Sequence, residues 1–314
     1  MAAGADEIAV VVLAYGSGGE HGPLLESLRS EGVAPESVLV VHNPAAPGEP
    51  PPAVPAGVEV VQMESNLGYA GAMNRGVERQ LGRGATWLLV LTHDARLRPG
   101  ALAALLAAAN GEPGYGVLGP ALVFSDSGAP FSFGGTTDAN GSNAHVREAP
   151  RASSGIRACD WIDGGTLLLR GDMLALTGAF DERFWAYCEE ADLCLRARRA
   201  GYGVGVVLDA LADQAPGGAN RPGAWSYLLT RNGLEYARRA AGARGAVTGV
   251  LRKTVLVASY LARTLLRATG LRPGDPRETW VLAIGTGRGT LDFLRRRWGP
   301  PPSDLPGLGD VSNA

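Results

Sequence analysis

At 314 residues, 46% of them hydrophobic and 19% charged, the chain is long enough for one large α/β domain or for a catalytic domain with an appendage. A formal net charge of −2 excludes an overall field that would draw nucleic acid or an anionic membrane. Cys159, Cys188 and Cys194 are odd in number and lack the paired spacing of a metal site, which points to a reduced, cytoplasmic compartment.

The N-terminus carries Asp6 and Glu7 where a signal peptide needs basic residues, and the apolar run after them, residues 8–14, is too short to export or span. It reads as a buried first strand. A helix over residues 23–30 and a second apolar run at 38–41 complete a strand–helix–strand order, the mark of a βαβ unit and hence a parallel sheet. The proline-rich stretch 44–57 is a stiff surface loop, followed by a third strand at 58–62. Residues 69–81 are helical in pattern despite Gly71 and Gly76, 87–91 form a fourth strand, 99–109 a helix and 117–123 a further strand. From 125 to 155 Gly, Ser, Asn and Pro dominate without a sustained period, and irregular segments of such length inside compact domains are often functional.

Gly164 and Gly165 lead into a short buried strand at 166–169. Glu189, Glu190 and Asp192 then stand in the first turn of a helix, and Arg196, Arg198 and Arg199 in its last, before Gly201 ends it. That charge order suits the helix dipole, and Asp192 and Arg196 have the spacing of an i,i+4 pair. The last strand is expected at 204–208. From Trp225 the chain turns helical. Residues 246–267 set Val247, Val250, Leu251, Val255, Tyr260 and Leu261 beside Arg252, Lys253, Arg263 and Arg267, too many charges for a transmembrane span. Such a helix suits either a membrane surface or packing on the main domain. The Pro- and Gly-rich tail from residue 300 reads as disordered. The expected domains are thus 1–224, 225–299 and the tail 300–314. Oligomeric state is left open.

Four strings in the second half, Gly164 to Arg170, Gly178 to Phe184, Glu189 to Arg196 and Ala200 to Tyr202, keep one order and spacing. They resemble the motifs of family 2 glycosyltransferases, above all the rhamnosyltransferase-like branch, with Glu190 where that family has Asp. Upstream, Thr92-His93-Asp94 resembles a degenerate form of the family's Asp-x-Asp motif. Asn66-Leu67-Gly68 with Asn74-Arg75-Gly76 resembles its Asn-x-Gly stretch, and Tyr227 to Asn232 resembles its Tyr-x-x-x-Arg-Asn. Three positions depart from the pattern: His42-Asn43 replaces the family's Asp-Asn, Thr92 replaces an acid or amide, and Gln214 stands where a metal-binding His is usual.

The resemblance implies a GT-A fold, a mostly parallel nucleotide-binding sheet flanked by helices with a C-terminal helical appendage. It implies an inverting transferase moving a sugar, in this branch often rhamnose from dTDP-rhamnose, to a hydroxyl of a glycan or lipid-linked acceptor in cell-wall or polysaccharide synthesis. The general base would be Glu190, with Glu189 the main competitor and Asp192 the third acid. The donor set would be Ala14, Tyr15, His42, Asn43, Asn66, Gly68, Asn74, Asp94, Gly164, Gly165 and Arg231. A divalent cation, Mg²⁺ or Mn²⁺, would sit on Asp94, and the protein would work in the cytoplasm or at the inner face of the plasma membrane. Three rival readings are a transferase with a different sugar donor, a degenerate nucleotide-sugar-binding protein, kept open by the three departures, and a nucleotidyltransferase. The loop after the first strand, AYGSGGEHG, has the glycines of the latter but no Lys.

Overall fold

The structure is a computed structural model that describes residues 8–16, 21–214 and 221–307. Strands β1 (Ala9–Tyr15), β2 (Val38–Asn43), β3 (Glu59–Gln62) and β4 (Trp87–Thr92) come first, with helix α1 (His21–Ser30) after β1 and α2 (Gly68–Gly82) after β3. Next come β5 (Arg96–Leu97), α3 (Ala101–Gly111), β6 (Tyr115–Phe124) and β7 (Pro130–Ser132). They lead to β8 (Gly135–Thr137), β9 (Asn143–His145), β10 (Ile156–Ala158) and β11 (Thr166–Arg170). Helices α4 (Gly171–Thr177) and α5 (Glu189–Arg199) precede the long strand β12 (Gly203–Gln214), and α6 (Pro222–Ala268) and α7 (Pro276–Leu294) end the order.

The chain divides into two compact units. One takes residues 1–136, 144–182 and 189–216, the other 137–143, 183–188 and 217–314. Two short segments, 137–143 and 183–188, thus group with the unit that carries the C-terminal helices.

The first unit is organised by a ten-stranded sheet in the order β10-β12-β6-β11-β4-β1-β2-β3, with β5 on β12 and β7 on β6. β1 pairs in parallel with β2 and β4, and β2 with β3, as the βαβ pattern requires. β11 runs antiparallel to both its neighbours, β4 and β6, so the sheet is mixed. β1 and β2 are buried along almost their whole length because helices cover both faces, which explains their unbroken Val and Leu runs. On one face Leu24 and Leu28 of α1 and Leu102 and Leu105 of α3 join Val10, Val12, Leu89 and Leu91 in one core. Each such side chain contributes about 1.5–3 kcal/mol when fully buried. α2 lies against β1 and β2 so closely that a β-carbon at Gly76 would meet Val11 and Val41.

Two expectations are corrected here. The last strand does not stop at 208 but runs to Gln214, with an irregularity between Val207 and Leu211. The acids that hid its second half are satisfied locally: Asp209 accepts from Gly155 N–H at 2.7 Å and Asp213 pairs with Arg98 at 2.7 Å. The segment 125–155 is not wholly irregular, since it holds β7, β8 and β9, each of three residues.

In the second unit α6 breaks at Ala241 and Gly242, the glycine at φ 63°, a conformation costly for other residues. Gly285 and Gly289 of α7 lie where a β-carbon would collide with Ser226 Oγ and the Tyr227 carbonyl of α6, so these glycines serve helix packing. Within the stretch expected to be a disordered tail, Leu305 is buried with Tyr227 and Leu228, and Asp304 pairs with Arg288. Residues 308–314 of that expectation lie outside the described residues.

Candidate active site

The parallel strands β1, β2 and β4 end at Tyr15, Asn43 and Thr92, and open parallel sheets place their ligand crevice outside such ends. Ala14 and Tyr15 close β1, with Ala14 fully buried. Asn43 and Asn66 bind each other and the backbone between β3 and α2. Asn43 Nδ2 donates to Asn66 Oδ1 at 2.9 Å, Leu67 N–H donates to Asn43 Oδ1 at 2.8 Å, and Gly68 N–H donates to Asn66 Oδ1 at 2.8 Å. Gly68 sits at φ 72°, where a side chain would strain the turn that opens α2. The two asparagines thus shape the loop.

Asn74 likewise turns inward. Its Nδ2 donates to the Phe180 carbonyl at 2.8 Å while its Oδ1 accepts from Phe180 N–H at 3.0 Å, so it fastens α2 to the Phe180-Asp181-Glu182 string. His42 is fully buried and both ring nitrogens lack partners among the described residues. Burial lowers its pKa and keeps the imidazole neutral, with Glu49 opposing weakly. Its ring is not presented to a ligand.

The Gly164-Gly165 turn is the centre of the site. Thr92 N–H donates to the Gly165 carbonyl at 3.1 Å and the Tyr69 hydroxyl donates to the Gly164 carbonyl at 2.6 Å. A β-carbon at Gly164 would lie 3.4 Å from the Tyr69 oxygen and 3.6 Å from Glu190 Cβ. One at Gly165 would lie 3.7 Å from Thr92 Oγ1 and 3.8 Å from Gln214 Oε1. Tyr69, Glu190, Thr92 and Gln214 therefore all border one small turn without side chains of its own. Tyr69 was legible in the sequence only as a helix residue. So was Asp163 only as part of a string: it sits beside the turn, 3.5 Å from His145 Nδ1, and burial pushes its pKa up.

The three acids of α5 separate clearly. Asp192 is fully buried and accepts from Arg196 Nε at 2.8 Å, while Arg196 also donates to the carbonyls of Thr177, Gly178 and Ala179 at 2.7, 2.9 and 2.7 Å. Asp192 is therefore an anchor for the end of α4. Glu189 is 4% exposed and its Oε2 has no partner among the described residues. Burial first and the charge of Glu190 second push the Glu189 carboxyl well above the usual carboxylate range. Glu190 is partly exposed and beside Gly164. Burial of Tyr69 first, and the carboxyl groups of Glu189 and Glu190 after it, push its pKa well above the usual phenol value, so its hydroxyl stays a donor.

A divalent cation would find one carboxylate here. Asp94 follows β4 and is half-buried, Thr92 and Gln214 offer neutral oxygens, and Asp213 is already spent on Arg98. No group of three His, Cys, Asp or Glu side chains able to hold a metal occurs among the described residues. This oxygen-donor set suits a hard cation that arrives with substrate phosphates and keeps several waters. Arg231 is the residue expected on a diphosphate. It is fully buried in the second unit, where it donates to Gly299 O at 2.8 Å and to Asn232 Oδ1 at 3.0 Å.

Residues 10–151 match Glycosyl transferase family 2. The chain is 30% identical over 222 residues to the N-acetylglucosaminyl-diphospho-decaprenol L-rhamnosyltransferase of Mycobacterium tuberculosis, a match covering 63% of this chain and 72% of that protein. Among solved structures, the mannosyltransferase PcManGT from Pyrobaculum calidifontis in complex with GDP-Man and Mn²⁺ superposes with a TM-score of 0.52 at 13% identity, over 93% of this chain and 88% of that one. GalNAc-T7 with UDP, GalNAc and Mn²⁺ superposes with a TM-score of 0.53 at 11% identity, over 74% of this chain and 50% of that one. At such identities the likeness is one of fold.

The fold and crevice are those of a GT-A glycosyltransferase. The chain belongs to glycosyltransferase family 2 and is a transferase of that family, which sets the nucleotidyltransferase reading aside.

Proposed function

We propose that the protein transfers L-rhamnose, with inversion, from a nucleotide diphosphate donor to a hydroxyl of a lipid-diphosphate-linked N-acetylglucosamine. The observation that carries the reading is Glu190 beside the open Gly164-Gly165 turn, in a chain 30% identical to a transferase named for that reaction. The donor lies across the ends of β1, β2 and β4, with its diphosphate toward Asp94. Glu190 removes the acceptor hydroxyl's proton as that oxygen attacks the anomeric carbon, and the sugar–diphosphate bond breaks on the opposite face. Glu189 is buried with its carboxyl pushed toward the protonated form, whereas Glu190 is partly exposed at the turn. Tyr69 holds the turn through the Gly164 carbonyl, so the base and the sugar pocket keep a fixed spacing. Mg²⁺ or Mn²⁺, when bound by Asp94 with Thr92 and Gln214 nearby, would offset charge on the leaving diphosphate.

The test is titration calorimetry with dTDP-L-rhamnose. Added Mg²⁺ or Mn²⁺ is expected to tighten donor binding to the wild type about tenfold or more, and Asp94→Asn to abolish that gain. Equal affinity with and without metal in both proteins would remove the metal from the account.

The acceptor's lipid places the reaction at a membrane surface, and the second unit has a face suited to one. Val247, Leu251, Val255 and Leu265 recur along one side of α6 and are between 59% and 70% exposed. Residues 236–274 carry Arg and Lys but no Asp or Glu, which fits an anionic lipid surface. No described helix is long and apolar enough to cross a membrane. The protein is expected to float with anionic liposomes at low salt and to lose this with Leu251→Glu and Val255→Glu together. Wild type remaining at the bottom of the gradient rules the attachment out.

A further inference from the structure

The segment 183–188 leads directly into Glu189, the first residue of α5, and its backbone is unusual. Trp185, Tyr187 and Cys188 all lie in the left-handed region, at φ 63°, 70° and 70°, though none is glycine. Ala186 N–H donates to the Phe184 carbonyl at 2.7 Å, a three-residue turn with Trp185 at its centre, and such turns at positive φ are rare and strained. Backbone of this kind persists only where its surroundings over-determine it.

One side chain reaches three of the segment's carbonyls. Asn232 is fully buried, and its Nδ2 donates to the carbonyls of Phe184, Ala186 and Tyr187 at 2.7, 2.7 and 2.9 Å. Arg231 adds a bond from Nη2 to the Phe184 carbonyl at 3.3 Å and, from Nε, one to Asn232 Oδ1 at 3.0 Å, which fixes which way the amide faces. Arg231 is held in turn by the Tyr227 hydroxyl and the Gly299 carbonyl, and Tyr227 donates to Asp292 at 2.8 Å. A buried chain of polar groups thus ends on the carbonyls of the left-handed segment.

α5 has no Ser, Thr, Asn or Asp immediately before it to fix its first turn. The chain enters that turn directly from the left-handed Cys188. We propose that Asn232 is a positioning residue for catalysis: by gathering three carbonyls it locks Trp185–Cys188 in the left-handed form that aims Glu190. The inference rests on Glu190 being the base, as proposed above. It assigns the Arg231-Asn232 pair to holding the catalytic helix in register.

The test combines turnover of dTDP-L-rhamnose and N-acetylglucosaminyl diphosphoryl polyprenol with hydrogen exchange. Asn232→Ala should speed amide exchange through residues 185–192 and lower kcat on the order of a hundredfold, the cost of roughly an ångström of misplacement, while donor affinity stays within twofold. Cys188→Gly added to Asn232→Ala should recover part of the lost kcat, because glycine holds positive φ without a partner. A merely structural asparagine would not show that rescue. If Asn232→Ala does not fold, Cys188→Val serves: a β-branched residue resists φ near 70° and should lower kcat with donor affinity unchanged. Unchanged exchange in the segment, wild-type kcat in either variant, donor affinity falling in step with kcat, or no rescue by glycine would each overturn the proposal. Failure of the functional reading shows itself separately, as wild type inactive with this donor and acceptor, and unchanged exchange overturns the clamp in that case too.

Discussion

Replacing Glu190 by Gln should lower the rate of sugar transfer about a hundredfold or more while leaving donor affinity intact. The amide keeps the shape of the side chain beside Gly164 but cannot accept the proton of an attacking hydroxyl. Glu189→Gln should cost far less, since Glu189 is buried and its carboxyl is pushed toward the protonated form, which makes it a poor acceptor for a substrate proton. Steady-state kinetics with matched calorimetry decide the matter. Near-normal turnover in the Glu190 variant, with a large loss in the Glu189 variant, would reverse the assignment.

The second large effect is on stability. Arg196→Met should destabilise the first unit by about 3–5 kcal/mol, the range found when one partner of a buried ion pair is removed. Asp192 has no exposed surface and loses its cation, while the carbonyls of Thr177, Gly178 and Ala179 lose their donor. Charge-neutral replacement of both partners, Asp192→Leu with Arg196→Met, should restore part of the loss. Urea unfolding measures it, and a change below about 1 kcal/mol, as an exposed pair would give, contradicts the account.

Much of this was legible in the sequence. The apolar runs of β1, β2 and β4 announced a parallel sheet because both faces of the sheet are covered, and Asp94 stood at a strand end as the ordered motifs required. The polar residues were harder to place, for a physical reason. An asparagine has the same donors and acceptors whether they meet a ligand or a carbonyl, so Asn43, Asn66 and Asn74 looked ligand-facing yet bind neighbouring backbone and side chains. The bonds of Arg231 to Gly299 and Tyr227 likewise leave no trace in local sequence. The choice between Glu189 and Glu190 depends on burial, which adjacent residues at the start of a helix do not declare. Tyr69 and the second half of β12 escaped because their partners, Gly164, Gly155 and Arg98, are distant in the chain.

The central claim is that this crevice performs an inverting rhamnosyl transfer. Its most direct measurement is NMR analysis of the product formed from dTDP-β-L-rhamnose and N-acetylglucosaminyl diphosphoryl polyprenol. The account predicts a new α-L-rhamnosyl bond to an acceptor hydroxyl, formed by the wild type and lost with Glu190→Gln. A product of retained configuration, or donor hydrolysis without any transfer, would contradict it.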